Sequence, residues 1–313
     1  MTSEPGTSSL PYTFLGPEGT FTESALLQVP GAADAERIPS TNAAAALAKV
    51  RSGAARAAML PIENSIEGGV PATLDAISNG LELRILHEVV VPVSFVLVAP
   101  AGVTLADITH VGTHPHAWAQ TRDWFQDHLP HAAYVPANST AAAAHELLGD
   151  EPAFQAAVCA PLVAEQTGLS ILAAGIEDNL GAVTRFVLVG KPGHLPEPTG
   201  ADKTTLAIPL PEDHPGALMA ILEQFASRGV NLNRIESRPT GQFLGHYIFS
   251  VDVDGHIRDA RVADALRGLH RVSPEMRFLG SYPRADKQPP IIRSYNSDGA
   301  FGEAAAWVES LLG

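Results

Sequence analysis

Pro39-Ser-Thr-Asn-Ala-Ala-Ala-Ala-Leu47 and Pro136-Ala-Asn-Ser-Thr-Ala-Ala-Ala-Ala-His145 are two versions of one phrase. Each offers Ser, Thr or Asn as a helix N-cap and then a run of the strongest helix former. About twenty residues further on, each phrase is answered by an apolar stretch ending at proline. The first answer is Ala57-Ala-Met-Leu-Pro61 and the second Ala156-Ala-Val-Cys-Ala-Pro161. Two alanine-rich helices arise easily by chance, but the shared order of cap, helix, buried strand and proline does not. The repeat predicts two related α/β lobes whose helix N-termini face one cleft.

Four polar loops surround these phrases at the ends of expected strands, where α/β proteins bind ligands. Tyr12-Thr-Phe-Leu15 feeds Gly16-Pro-Glu-Gly-Thr-Phe-Thr-Glu-Ser-Ala-Leu26, a glycine turn and helix start whose amides suit an anion. It is neither a Walker loop nor a dinucleotide fingerprint, and an ordinary capped helix would use the same residues. Pro61-Ile-Glu-Asn-Ser-Ile-Glu-Gly-Gly-Val70 gathers Glu63, Asn64, Ser65 and Glu67. Val111-Gly-Thr-His-Pro-His-Ala-Trp-Ala-Gln120 runs from a strand into a helix, with His114 at the junction as a candidate proton carrier. His114 and His116 form a His-x-His pair, but a lone cysteine and no compact acidic cluster argue against a metal.

The fourth loop is Gly175-Ile-Glu-Asp-Asn-Leu-Gly-Ala-Val-Thr-Arg-Phe-Val-Leu-Val-Gly190, which enters an apolar strand through Thr184, Arg185 and Phe186. Neighbours on a strand point to opposite faces, so Thr184 and Arg185 reach one ligand only where the chain bends or lines a cleft. There the forked cation would hold a carboxylate beside a hydroxyl donor. Strands are also expected at Leu81–Leu86 and Val89–Val98. The second crosses between the lobes, and Pro92 keeps it from being a fully paired central strand.

The 313 residues suffice for two or three domains with real cores. A net charge of −14 argues against nucleic acid and anionic membrane as partners, since either calls for a basic face. Residues 1–190 carry seven Lys or Arg against nineteen Asp or Glu, a net of −12, so a small anion must be recognised locally there. Cys159 has no partner for a disulfide and reads as a buried strand residue. No signal peptide and no membrane-spanning run are visible, which predicts a cytoplasmic protein.

Beyond a Pro/Gly-rich linker at 191–202 the pattern changes. Strands at Lys203–Ile208, Val230–Glu236, His246–Val253 and Met276–Leu279 alternate with helices at Gly216–Arg228 and Asp259–Leu269. Leu218, Ile221, Leu222 and Phe225 share one face of the first helix, Gly229 stops it, and Tyr247, Phe249, Val251 and Val253 point inward. The order βαββαβ fits a ferredoxin-like sandwich with one face covered by helices and an edge free for pairing. Residues 284–313 read as a polar tail with a helix at Glu303–Leu312.

Taken in order, Gly16-Pro-Glu-Gly-Thr20, Pro61-Ile-Glu-Asn-Ser65, His114-Pro115, Asn138-Ser139 and Asp178 with Thr184-Arg-Phe186 resemble the prephenate dehydratase family. Gly216-Ala-Leu218 and Glu236-Ser-Arg-Pro239 resemble the phenylalanine-binding signatures of its regulatory ACT domain. Each piece is weak alone; the ordered set is specific and spans nearly the whole chain. Ala182 stands where many relatives carry Asn, which leaves Asn179 as the candidate for that contact. No chorismate mutase segment precedes residue 12, so a fused bifunctional form is not expected.

The resemblance implies a two-lobed α/β catalytic domain at 12–190, similar to type 2 periplasmic binding proteins, after a disordered start at 1–11. Lobe 1 would take about 12–90 and 176–190, lobe 2 about 91–175, and the ACT domain 203–283. It implies a homodimer or homotetramer joined through ACT domains, L-phenylalanine as effector, and no cofactor or metal. The implied reaction is decarboxylative dehydration of prephenate to phenylpyruvate, CO2 and water.

The implied substrate site draws on Gly19, Thr20, Asn64, Ser65, Asn138, Ser139, Thr140 and Phe186, with Phe186 read chiefly as core. Arg185 and amides near Thr20, Ser139 or Thr140 would clamp the retained carboxylate, and Thr184 would donate to the departing hydroxyl. Glu63 or His114 would be the acid if an ionisable group takes that role. The effector site draws on Gly216, Ala217, Leu218, Glu236, Ser237, Arg238 and Pro239. Rival readings are arogenate dehydratase and a non-catalytic amino-acid-sensing binding protein.

Overall fold

The computed structural model describes residues 10–66, 68–78, 83–210, 214–239 and 247–312. Glu67, the start of the Leu81–Leu86 strand, His246 and most of the 1–11 segment lie outside them. The chain divides into two compact units, Met1–Val70 with Val89–Phe186, and Pro71–Glu88 with Val187–Gly313. Among the described residues no helix is long and apolar enough to cross a membrane.

The chain opens with β1 (Tyr12–Leu15), α1 (Phe21–Leu27), β2 (Arg37–Ser40), α2 (Ala43–Ser52), β3 (Ala57–Asn64) and the short β4 (Gly68–Gly69). Next come α3 (Pro71–Ser78), β5 (Arg84–Pro92), β6 (Val96–Ala99), β7 (His110–Thr113), α4 (Pro115–Ala119) and α5 (Arg122–His128). β8 (Ala133–Pro136), α6 (Thr140–Glu146), β9 (Ala156–Cys159), α7 (Pro161–Thr167), β10 (Ser170–Ala174) and β11 (Val183–Gly190) follow. One sheet has the order β2-β1-β3-β11-β5 with β4 against β3, the other β10-β6-β9-β7-β8.

The repeated phrases behave alike at their starts. Asn42 Oδ1 accepts from the Ala45 amide at 2.8 Å and Ser139 Oγ from the Ala142 amide at 2.9 Å, so each phrase caps its helix with the expected side chain. Their ends differ. β3 passes through Pro61 and continues to Asn64, whereas Pro161 opens α7. Proline lacks an N–H, which a helix start does not need and a strand edge can spare.

Val89–Val98 is two strands rather than one, because β5 stops at Pro92 and β6 starts at Val96. In the gap the Val93 amide donates to the Ala182 carbonyl at 2.8 Å and the Phe95 amide to Glu177 Oε2 at 2.9 Å. These bonds carry the chain from the first sheet to the second. Cys159 lies fully buried in β9, and burial pushes its thiol up to about 12, which makes it a packing residue.

The second unit continues with β12 (Asp202–Pro209), α8 (Ala217–Ala226), β13 (Leu232–Pro239), β14 (Tyr247–Asp254), α9 (Ala260–Val272), β15 (Arg277–Pro283) and α10 (Asp298–Leu311). Its sheet has the order β13-β14-β12-β15, with antiparallel neighbours. This is the βαββαβ arrangement expected from the pattern. Ile221, Phe225, Leu266 and Leu269 pack with Leu206, Val251 and Val253 in its core.

Several boundaries and faces need correction. α8 buries Ala217, Ile221 and Phe225 at intervals of one helical turn, which turns Leu218 outward, 36% exposed. β13 runs from Leu232 to Pro239, later at both ends than the expected Val230–Glu236, and α10 starts at Asp298, capped by Ser297. Tyr247 is exposed, while Ser250 and Asp252, on the face opposite the helices, are buried.

That face is polar but not solvated. Asp252 Oδ2 accepts from Arg234 Nε at 2.8 Å and Oδ1 from Thr205 Oγ1 at 2.7 Å. Lys203 Nζ meets Glu88 Oε2 at 2.8 Å. At Gly280, φ 141°, a Cβ would sit 2.4 Å from the Ile85 carbonyl oxygen. The first half of β5 therefore lies close against this face, and only glycine permits the approach.

Candidate functional site

β3 and β11 are the framework of the site. Contacts join Glu63 to Arg185, Asn64 to Thr184 and Ser65 to Val183, so the two strands run antiparallel. Side chains alternate across such a pair. Asn64 and Thr184 line a cavity of about 390 Å³ in the first unit, while Glu63 and Arg185 do not. The chain does not bend at Thr184, and its neighbour turns away as a regular strand requires.

Thr184 is held with a defined polarity. Asn64 Oδ1 accepts from the Ile66 amide at 2.8 Å, and its Nδ2 donates to Thr184 Oγ1 at 3.2 Å. Since that oxygen accepts from Asn64, its own proton is left to donate elsewhere. Ser65 fastens the same strand end: its Oγ accepts from the Val183 amide and its amide donates to the Val183 carbonyl, both at 3.0 Å.

Arg185, only 7% exposed, donates from Nη1 to Glu63 Oε2 at 3.2 Å. Phe186, 2% exposed, is a core residue. Gly19, at φ 78°, brings its loop against α7, where a Cβ would lie 2.7 Å from Val163 Cγ2. Its amide donates to Glu23 Oε2 at 2.7 Å. Gly19, Ser65, Arg185, Glu63 and Phe186 thus surround the cavity without lining it.

The remaining expected residues do line it. Thr20 sits at the start of α1, and Asn138, Ser139 and Thr140 at the start of α6. Ser139 Oγ accepts from its own helix, so its hydroxyl proton is available to a ligand. His114 is the N-cap of α4, and its Nδ1 accepts from the His116 amide at 3.3 Å. Nε2 is therefore the protonated nitrogen of the neutral ring. Burial first, and the adjacent His116 second, hold His114 below the usual imidazole range.

Sequence reasoning missed the apolar wall and one amide. Phe21 and Phe95 meet edge to face at 5.6 Å and, with Val93, line the side of the cavity shared by the two lobes. Gln120, after α4, also lines it. Val93 and Phe95 lie in the crossover that looked like continuous strand, so no local pattern marked them. Asn179 is exposed and accepts from the Gly181 amide, Ala182 is core, and Asp178 caps α5 through the Asp123 and Trp124 amides. None of these three lines the cavity.

Among the described lining residues there is no Lys, Arg, Asp or Glu. The cavity offers neutral donors from hydroxyls, amides, imidazole and the α6 N-terminus on one side and aromatic surface on the other. Such a surface fits a small anion that must lose solvent around part of its charge.

Residues 12–194 match the prephenate dehydratase family and residues 208–271 the ACT domain. A prephenate dehydratase of Mycobacterium tuberculosis is 44% identical over 95% of this chain and 92% of its own length. The crystal structure of an Arthrobacter aurescens prephenate dehydratase in complex with L-Phe superposes with a TM-score of 0.91, at 67% identity over 96% of this chain and 99% of that one. A structure described as GqqA, a novel type of quorum quenching acylase, gives 0.78 at 33% identity over 87% and 97%.

Proposed function

Because the chain belongs to the prephenate dehydratase family, we propose that the cavity beside Thr184 is where prephenate loses CO2 and water. The observation that carries this reading is the polarity of the Asn64–Thr184 hydrogen bond, which leaves the Thr184 proton for a substrate oxygen. The substrate's ring hydroxyl is the group that needs it. As the bond from ring carbon to carboxylate breaks, its electron pair enters the ring, the C–O bond breaks, and hydroxide leaves with one proton from solvent. A threonine hydroxyl is too weak an acid to give up its proton outright, so Thr184 stabilises the departing oxygen in place.

The two carboxylates then divide by environment. The one lost as CO2 lies against Phe21, Phe95 and Val93, where desolvation favours the neutral product. The one retained takes hydrogen bonds from Ser139, Thr140 and Thr20 and from the first amides of α6. Arg185 and Glu63 act together as a strut on the opposite face of the strand pair, so Glu63 is not the proton donor. An acylase reading lacks an activated nucleophile, since the described partner of the Thr184 hydroxyl is an amide donor and not a base.

His114 contributes as a neutral Nε2 donor. Its lowered affinity for protons means the ring charges only below the ordinary value of about 6.5. The rate is therefore expected to be flat from neutral pH upward, with any His114 limb confined to more acid solution. A pH profile of kcat/KM on wild type and His114→Gln measures this. A limb at or above neutral pH that disappears in the variant contradicts it.

L-phenylalanine is the effector of the C-terminal domain in this reading, supported by the L-Phe complex of the Arthrobacter relative. Gly216 caps α8 at φ 90°, and a Cβ there would meet open space. An amino acid carboxylate can approach the amides of Ala217 and Leu218 through that space. Arg238 is committed to Asp75 by bonds of 3.0 and 2.9 Å and Glu236 to Arg234 at 3.4 Å, so both position β13, and Ser237 and Pro239 are left to face the effector.

Gly216→Val fills the space and strains the backbone. It should raise the L-Phe concentration for half-inhibition by about tenfold. An unchanged inhibition curve removes Gly216 from the site. Pairing of sheet edges between copies would make the homodimer or homotetramer, and buried Cys159 accords with a cytoplasmic setting.

A further inference from the structure

Within the second unit, the chain after β15 encloses a cavity of about 460 Å³, lined by Asn231, Asn233, Asp254 and Arg261 and by Arg284, Gln288 and the segment Pro289–Ile291. It is a separate place from Gly216 and Glu236–Pro239, none of which lines it. Its size is that of an ordinary small-molecule site.

The floor holds a buried cation with one long ion pair, Arg261 Nη2 to Asp259 Oδ2 at 3.5 Å. Arg261 is 1% exposed, and its Nε has no hydrogen-bond partner among the described residues. Its one described bond runs from Nη2 to Asp259 Oδ2 at 3.5 Å, although the guanidinium has five N–H donors. Asp259 is a poor counter-ion: burial raises its carboxyl above the usual range, and the same oxygen already accepts from the His256 amide at 3.0 Å. Gly255, at φ 112°, makes room for the guanidinium, since a Cβ there would lie 2.6 Å from Arg261 Nη2.

The other charges in the cavity are matched. Arg284 bonds Asp254 and grips both oxygens of Asp286, while Asn231 and Asn233 also donate to Asp254. Asp254 is thus occupied and does not serve as counter-ion to Arg261. A buried guanidinium with one long ion pair and an unpartnered Nε is costly, and a bound anion reduces that cost.

We propose that this cavity is a binding site for a small monocarboxylate bearing an apolar group, its carboxylate on Arg261 and its apolar part against Pro289, Pro290 and Ile291. A guanidinium matches a planar carboxylate by two parallel hydrogen bonds. Ile291 is fully exposed at the rim and gains cover from such a ligand. Gln288 offers an amide with no described side-chain bond beside the entrance.

The test is equilibrium dialysis of the full chain with benzoate in the presence of saturating L-Phe. Arg261→Gln is expected to weaken benzoate binding about tenfold or more. Gln288→Glu, on an exposed side chain whose change leaves the fold intact, should also weaken it by placing a like charge at the entrance. If Arg261→Gln fails to fold, Gln288→Glu decides. The proposal is overturned if wild type binds no benzoate up to about 10 mM, or if a folded variant binds it as wild type does. It is also overturned if inorganic phosphate displaces benzoate at equal concentration, because the site would then be a general anion site.

Discussion

Thr184→Val is expected to lower kcat by about 10² to 10³ while changing KM by no more than about threefold. Valine has the same shape and branching as threonine, so the strand and the cavity wall are retained and only the hydroxyl is lost. If the hydroxyl acts on an oxygen whose charge grows as its bond breaks, the loss falls on the chemical step and not on binding. A neutral contact made equally with substrate and transition state would raise KM and leave kcat alone. Steady-state rates of phenylpyruvate formation from prephenate separate the two. The same substitution removes the bond from Asn64 Nδ2 to Thr184 Oγ1, which adds to the loss but stays within the site.

Asp252→Ala should destabilise the second unit by about 3 to 5 kcal/mol. Asp252 is fully buried and is the partner of Arg234, itself nearly buried, through Nε at 2.8 Å and Nη2 at 3.2 Å. Removing the carboxylate takes from a buried guanidinium its closest described counter-ion and leaves it the longer pair with Glu236 at 3.4 Å. Thr205 and Tyr282 belong to the same network, joined at 2.6 Å, so their hydroxyls lose order as well. Urea denaturation of wild type and variant measures the loss. A change below about 1 kcal/mol would mean that water reaches Arg234 in the folded protein.

The two-lobe fold was legible because helix caps and buried strands leave local marks. Asn42 and Ser139 each cap a helix from within the quoted phrases, and a cap involves residues three apart. The βαββαβ unit was legible for the same reason, through the spacing of Ile221 and Phe225 and the glycine stop at Gly229. Faces were less legible than elements. The alternation of β14 marked Phe249, Val251 and Val253 as inward but did not mark Ser250 and Asp252 as buried, because their partners Arg234 and Thr205 come from neighbouring strands and no pattern within β14 records them.

The site divides along the same line. Thr184 was found because a hydroxyl at a loop-to-strand junction is visible locally. Where Arg185 goes depends on the register of β11 against β3, whose residues are more than a hundred positions away. Strand alternation alone said that both residues would not share one face, and the regular strand makes that the outcome. Phe21, Phe95 and Gln120 come to the cavity from three separate segments. Their convergence is a product of the two sheets and has no signature in any one stretch.

The most direct measurement compares Thr184→Ser with Thr184→Val in the prephenate assay at saturating substrate. Serine restores the hydroxyl on the same Cβ, so its kcat should lie within about tenfold of wild type and well above that of valine. Equal turnover by the two variants would mean that the departing oxygen is stabilised elsewhere, and the cavity beside β11 would lose its assigned chemistry.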